Sequence, residues 1–166
     1  MKKWLFLLFF AFDVYAKVTV IDGDSLRIDG KDIRLIGIDA PEYDQICFDK
    51  QGSEYNCGQE AYLFLKILIE TGLNKQQNIR CKKIGVDKYK RDLNECYIGN
   101  KNINKTIIKA GYATTYRHDI YKQEENEAKT NKNGIWQGKF MRPELYRILQ
   151  KQKNNQKNFK NRTDSC

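Results

Sequence analysis

The sequence predicts a mixed α+β fold, a small five-stranded barrel with about three helices packed around it. Three observations lead to this prediction. Stretches of alternating apolar and polar residues indicate strands, stretches with apolar residues three and four positions apart indicate helices, and their order is three strands, one helix, two strands and two helices. The 166 residues suit one domain, which excludes a repeat solenoid and a multi-domain enzyme.

The chain begins with a segment typical of an export signal. Two lysines precede an apolar stretch at residues 4–12, and Val-Tyr-Ala at residues 14–16 has small or tolerated residues at the positions that a signal peptidase recognises. A membrane anchor, the alternative, needs about 20 apolar residues. We therefore expect residues 1–16 to be a signal peptide, cleaved after Ala16, and the mature protein to be periplasmic or secreted with no membrane anchor.

The N-terminal half is predicted to form three strands and a helix. Asp29-Gly30, between two stretches of alternating residues, is a typical hairpin turn. The helix runs from Gln59 to Thr71, because apolar residues recur at helical spacing and Gly72 can end it. The three strands lie near residues 17–22, 24–29 and 32–38.

The C-terminal half adds two strands, two helices and a tail. The strands lie near residues 78–84 and 93–98, and the helices near residues 103–110 and 122–132. From Gln150 the chain holds five basic residues, one acidic residue and almost no apolar ones. We therefore expect residues 17–149 to form the domain and residues 150–166 to be a disordered basic tail.

The charge of the chain favours an anionic partner. Lys and Arg total 30 against 21 Asp and Glu, a formal charge of +9. Nucleic acid and a membrane surface both fit such an excess, and charge alone does not decide between them.

Three clusters of charged residues carry the chemical signal, at residues 22–25, 34–42 and 87–91. Each cluster alone is typical of a turn, a strand exit or a solvated loop. Together they place carboxylates and two arginines at the ends of neighbouring predicted strands. That combination suits hydrolysis of a phosphodiester, whose transition state carries extra negative charge.

Each group in these clusters has a chemical reason to be there. A hard divalent cation prefers oxygen ligands, which Asp24 and Asp39 can provide together with a backbone carbonyl. The planar guanidinium groups of Arg34 and Arg91 can stabilise charge on phosphate oxygens. Glu42, three residues beyond Asp39, is placed to orient or deprotonate the attacking water.

The same motifs resemble those of the thermonuclease, or staphylococcal nuclease, family. Val20 to Ser25, Arg34 to Glu42 and Asp87 to Arg91 follow the order and spacing of the family pattern, and the likeness extends over about Val18 to Arg147. The resemblance implies an OB-fold barrel and an exported, Ca²⁺-dependent nuclease that hydrolyses DNA and RNA without sugar specificity. It also implies cleavage to a 3′-phosphate and a 5′-hydroxyl, and we expect a monomer with no stable protein partner.

The resemblance also implies a role for individual residues. Asp24 and Asp39 become side-chain ligands of Ca²⁺, Ala40 adds its backbone carbonyl, and Asp22 acts from behind these ligands. Arg34, Glu42 and Arg91 fall on catalytic positions; whether Glu42 is a general base or a water positioner stays open. The substrate-binding candidates are Lys88, Tyr89, Tyr112 and Tyr116.

Two features leave alternatives open. The tyrosines can stack on bases, but ordinary half-buried packing explains them equally well. Lys90 stands where the family has glycine, which strains the loop before Arg91 if the position requires a positive φ. The single histidine, His118, receives no catalytic role and is interpreted as a surface residue.

Five cysteines favour disulfides formed in an oxidising compartment. A zinc site is the alternative, but no two cysteines have the close spacing of a zinc knuckle. Strand adjacency alone favours one of the three possible connectivities. The predicted pairs are Cys47–Cys57 and Cys81–Cys96, with Cys166 free.

Two other classes of function compete with a nuclease. An OB barrel can hold nucleic acid without cutting it, but binding needs basic and aromatic residues rather than carboxylates, which repel phosphate. A basic protein of the cell surface or membrane accounts for the tail but leaves the clustered carboxylates and arginines unexplained.

Overall fold

The computed structural model describes residues 16–117 and 119–163. Most of the predicted signal peptide lies outside these residues, as do His118 and Cys166. Among the helices of the described part, none combines the length and apolar character needed to cross a bilayer.

The described residues form ten strands and four α-helices. The strands are β1 (Val18–Asp22), β2 (Ser25–Ile28), β3 (Lys31–Leu35), β4 (Ile38–Asp39), β5 (Ile46–Phe48), β6 (Glu54–Asn56), β7 (Ile79–Val86), β8 (Asp92–Ile98), β9 (Lys101–Asn102) and β10 (Thr114–Thr115). The helices are α1 (Cys57–Asn74), α2 (Ile103–Lys109), α3 (Lys122–Thr130) and α4 (Pro143–Thr163). The mixed α+β class is confirmed, and all five predicted strands are present.

The main sheet has the strand order β1-β2-β3-β8-β7, with β9 paired to β8. Its neighbours are antiparallel except β3 and β8, which are parallel. Within the described residues no ladder joins β7 to β1, so the sheet is open where the prediction has a closed barrel. The short ladders β4–β10 and β5–β6 lie outside this sheet and are not predicted from alternation, because two or three residues are too few to show a period.

Helix α1 covers the sheet with one apolar face. Ala61, Leu65 and Ile69 recur every four residues and are at most 2% exposed, and each large side chain buried in this way stabilises the fold by about 1.5–3 kcal/mol. The Asn56 side chain accepts a hydrogen bond from the Gln59 amide at 2.9 Å and caps the helix. Sheet and helix side chains form one core: Leu26, Leu35, Ile38, Ile98, Ile103, Ile107 and Ile108.

Gly72 does not end α1, in contrast to the prediction. The helix continues to Asn74, and Gly72 faces Ile98, whose side chain would collide with a Cβ at this position. Glycine is therefore required here for close packing of the helix on β8, a role that local sequence does not distinguish from a helix end.

The chain from Gln150 also differs from the expectation of a disordered tail. Helix α4 runs through it to Thr163, which makes four helices rather than about three. Composition misled the prediction because polar residues dominate the segment. Yet residues 144–163 contain no glycine or proline, and Lys and Gln are good helix formers.

Both predicted disulfides are present. Cys47–Cys57 joins β5 to the first residue of α1, with 5.6 Å between the Cα atoms. Cys81 and Cys96 are register partners on β7 and β8, with 4.1 Å between the Cα atoms. The first disulfide lies beside the turn that carries Glu42, and the second ties the strands that carry the loop of Arg91.

Candidate active site

Two buried carboxylates meet at a single arginine. Arg34 on β3 donates from Nη1 to Asp24 Oδ1 at 2.7 Å and from Nη2 to Asp39 Oδ1 at 2.9 Å. Asp24 is 4% exposed and Asp39 1%. Because Ser25 is the register partner of Arg34, the β2–β3 hairpin itself places this arginine beside Asp24.

The Asp24 carboxylate is held on every side. Its Oδ1 also accepts from the Ser25 hydroxyl at 2.9 Å, and its Oδ2 accepts from the Ala40 amide at 3.2 Å. The Asp24 amide in turn donates to Asp22 Oδ1 at 2.9 Å. Asp22 therefore shapes the turn between β1 and β2 and brings its own charge close to the pair.

Burial sets the electrostatics of Asp24. Desolvation raises the pKa of this carboxyl to about 7, and Arg34 opposes the rise, while the charges of Asp22 and Asp39 add to it. A carboxylate that has lost water and faces like charges is stabilised by any further cation that reaches its oxygens.

Glu42 lies in a rigid turn after Pro41. The side-chain oxygen Oε1 of the buried Gln45 accepts a hydrogen bond from the Glu42 backbone amide at 3.3 Å. The Gln45 backbone amide donates to the Glu42 carbonyl at 2.8 Å. Gly58 packs against the same carbonyl so closely that a Cβ on it would collide with this oxygen. The backbone that carries Glu42 is thus fixed from two sides.

Arg147 is a site residue that the sequence motifs missed. From α4 it donates to Glu42 Oε1 at 2.7 Å and to Asp39 Oδ2 at 2.9 Å. It is 105 residues from Glu42 in the chain, outside all three clusters. No spacing in the sequence connects them, because only the docking of α4 brings them together.

The loop between β7 and β8 presents Arg91 by means of Asp87. Asp87 accepts from the Tyr89 and Arg91 amides at 2.8 and 2.9 Å and from Arg91 Nε at 2.8 Å. Lys90 has φ 64°, so the position does require the left-handed region in which glycine is relaxed. The lysine adopts that conformation, and the loop keeps Arg91 beside the cleft.

Most of the predicted site residues line one cleft of about 420 Å³. The predicted ones are Asp22, Asp24, Arg34, Ala40, Glu42, Lys88, Tyr89, Arg91 and Tyr116, and Asp39 reaches them through Arg34. Four unpredicted polar residues complete the wall: Arg117, Glu144, Arg147 and Lys151. Tyr112 is not among them; it stacks on Phe64 at 4.5 Å between ring centroids, which favours the packing interpretation.

The donor atoms match the needs of a hard cation. Asp24 and Asp39 both accept hydrogen bonds from the Arg34 guanidinium and so lie close together, and the Ala40 backbone amide donates a hydrogen bond to Asp24. No cluster of three or more acidic, histidine or cysteine side chains arranged for a metal occurs among the described residues. A Ca²⁺ ion here would therefore rely on two carboxylates, a carbonyl and water, all of them oxygen donors.

Comparison with known proteins gives a consistent set of relatives. The profile of the family described as staphylococcal nuclease homologue matches residues 32–138, more than half of the chain. The succinoglycan biosynthesis protein ExoI of Rhizobium meliloti is 33% identical over 127 residues, covering 74% of this chain and 64% of that protein. An uncharacterized endonuclease of Haemophilus influenzae is 33% identical over 128 residues, 72% of this chain and 64% of its own length.

A thermonuclease of Staphylococcus hyicus is 29% identical over 133 residues, 74% of this chain and 75% of its own. The chain thus spans less than two thirds of each of the first two relatives. Helix α4 begins at Pro143, after the last residue that the family profile matches.

Proposed function

The chain belongs to the family of staphylococcal nuclease homologues, and we propose that it is a hydrolytic endonuclease that cleaves phosphodiester bonds of DNA and RNA. One observation carries the proposal: Asp24 and Asp39, both buried, are joined by Arg34 at the edge of a cleft that also contains Glu42 and Arg91. Carboxylates weaken the binding of a polyanion, so their place beside two arginines supports catalysis rather than binding alone.

The cofactor in this proposal is Ca²⁺. Asp24, Asp39 and the carbonyl of Ala40 would hold it, and Asp22 would add negative charge behind them. When bound, the cation supplies positive charge that polarises the phosphate. The burial of Asp24 and Asp39 beside each other supports a cation partner for these carboxylates.

The protein's own side chains provide the rest of the chemistry. Arg34 and Arg91 hold the nonbridging oxygens as negative charge develops on them, a role that suits planar guanidinium groups. Glu42 orients the attacking water and accepts its proton. As the water oxygen bonds to phosphorus, the bond to the 5′ oxygen breaks and that oxygen takes up a proton from solvent, leaving a 3′-phosphate and a 5′-hydroxyl.

Substrate contacts follow from exposure and charge along the cleft. Tyr89 is 62% exposed and has Lys88 Nζ 5.0 Å from its ring centroid, so a base can stack beside a cation that contacts phosphate. The guanidinium carbon Cζ of Arg117 likewise lies 4.9 Å from the ring centroid of Tyr116.

We also propose the OB type of barrel for residues 17–149. The strand order β1-β2-β3-β8-β7 with its one parallel pair supports this assignment, although the sheet is open between β7 and β1. The proposed location is the periplasm or the cell exterior, after removal of residues 1–16, and the two disulfides support an oxidising compartment. The protein is proposed to act as a monomer.

The test is incubation of the exported protein with plasmid DNA and with RNA, first in calcium and then in excess chelator. Cleavage of both substrates in calcium and its loss with chelator are expected. Cleavage that persists in chelator contradicts the metal role. A protein that binds nucleic acid but does not cleave it in calcium favours the alternative, an OB barrel that holds nucleic acid without cutting it.

A further inference from the structure

Helix α4 is attached to the site mainly through polar and charged groups. Arg147 reaches Glu42 and Asp39, and the carbonyl of Met141, just before the helix, accepts a hydrogen bond from Gln45 Nε2 at 2.7 Å. Three of its apolar side chains are largely exposed, Leu145 at 53%, Ile148 at 47% and Leu149 at 40%, whereas Pro143 at its start is buried and Tyr146 is half-buried. The attachment of α4 therefore depends on the charge pairs of Arg147, and a group that replaced the guanidinium at these carboxylates would remove much of it.

Asp39 is both a contact of α4, through Arg147, and a ligand in the proposed cation site. Its Oδ1 accepts from Arg34 and its Oδ2 from Arg147, so both oxygens are occupied by charged donors. The Asp39 side chain is only 2% exposed, and water does little there to screen one cation from another.

Arg147 therefore does at Asp39 and Glu42 what a divalent cation and its bound water would do. A cation on Asp39 faces the guanidinium at short range and repels it, and it competes for the same carboxylate. Two ligands that exclude each other in this way are coupled, and the coupling is reciprocal. Stronger docking of α4 therefore weakens cation binding, and stronger cation binding weakens the docking of α4.

We propose that Arg147 is a displaceable occupant of the cation site: it and a divalent cation compete for Asp39, so that cation binding loosens α4 from the cleft. This inference rests on the proposed function, because it takes Asp39 as a cation ligand. It adds that the helix beyond the family-matched residues sets the cation concentration at which the site is filled.

The test measures Ca²⁺ affinity without nucleic acid, by calorimetric titration of wild type and Arg147→Gln. The variant is expected to bind Ca²⁺ about fivefold or more tightly, because the competing charge is gone. Lys153→Gln is the matched control, since Lys153 is an exposed cation on the same helix that does not line the cleft. It is expected to leave the affinity within about twofold of wild type.

A second measurement uses wild type alone and does not depend on the folding of a variant. Hydrogen exchange of the backbone amides of residues 144–157 is followed with and without Ca²⁺. Faster exchange in Ca²⁺ supports displacement of the helix; unchanged or slower exchange overturns it.

The outcomes separate the two proposals. Equal or weaker Ca²⁺ binding by Arg147→Gln, with clear binding by wild type, overturns the competition and leaves the proposed function intact. Absence of Ca²⁺ binding by both proteins overturns the metal site and the competition together.

Discussion

The guanidinium of Arg34 lies 2.7 Å from the carboxylate of Asp24, in a salt bridge whose side chains are 14% and 5% exposed. The two residues are ten positions apart and are brought together by the β2–β3 hairpin. The same guanidinium reaches Asp39, so one side chain pairs with two buried acids.

Replacing Arg34 by Met is expected to destabilise the fold by about 3 kcal/mol, because the buried Asp24 loses its arginine and Asp39 loses one of its two. It is also expected to abolish cleavage. Urea unfolding measures the first effect and a plasmid assay the second. Arg27→Met is the control, since Arg27 pairs with Asp32 at 2.6 Å on the exposed face of the same hairpin; a loss of stability in the control as large as that in Arg34→Met contradicts the role of burial.

Replacing Glu42 by Gln is expected to lower kcat by about 100-fold or more, because the amide cannot accept the proton of the attacking water. DNA affinity is expected to change little. Steady-state kinetics and equilibrium binding to an uncleavable oligonucleotide separate the two quantities. Glu70→Gln, an exposed site on α1, is the control. Equal losses in kcat and in affinity refute the assigned role.

Replacing Gly58 by Ala is expected to lower kcat about tenfold, because the added methyl group pushes on the carbonyl of Glu42 and displaces its side chain. Gly85→Ala is a matched control, since a Cβ at Gly85 meets no atom within 4 Å. Kinetics on both variants check this. Wild-type activity in Gly58→Ala shows that the turn tolerates the shift and that its rigidity is not needed.

Glu125 gives the fold a defined pH dependence. Burial alone raises the pKa of this carboxyl, but hydrogen bonds from Lys129 and Thr115 outweigh it and lower the pKa from 4.5 to about 2. The resulting stabilisation is present above pH 4.5 and is lost as the pH falls toward 2.

Glu125→Gln is therefore expected to lower the free energy of unfolding at pH 7 and to flatten its fall between pH 5 and pH 2.5. Urea unfolding across this range measures both. Glu127→Gln, whose partner Lys109 is exposed, is the control. A variant whose stability falls as steeply with acid as that of wild type shows that Glu125 is not the group responsible.

The sequence predicts the parts of the site that depend on local structure. Asp24 and Arg34 lie on one hairpin, and the Asp-Gly turn between them sets their register, so motif spacing is enough to bring them together. Cys81 and Cys96 follow from strand adjacency for the same reason.

The remaining features depend on long-range packing, which spacing does not encode. Arg147 reaches Glu42 only because α4 docks on the turn, and Gly72 serves the contact with Ile98 rather than a helix end. The sequence leaves base stacking and half-buried packing equally open for Tyr112, which packs on Phe64. Predicting each of these contacts requires the position of the contacting residue, which is distant in the sequence.

End-group analysis of an oligonucleotide incubated with the protein, in calcium and in excess chelator, tests the proposed hydrolysis. Fragments with a 3′-phosphate and a 5′-hydroxyl are expected in calcium, and intact oligonucleotide is expected in chelator and with Asp39→Asn. Fragments that end in a 3′-hydroxyl and a 5′-phosphate, or cleavage that survives both chelator and Asp39→Asn, would contradict it.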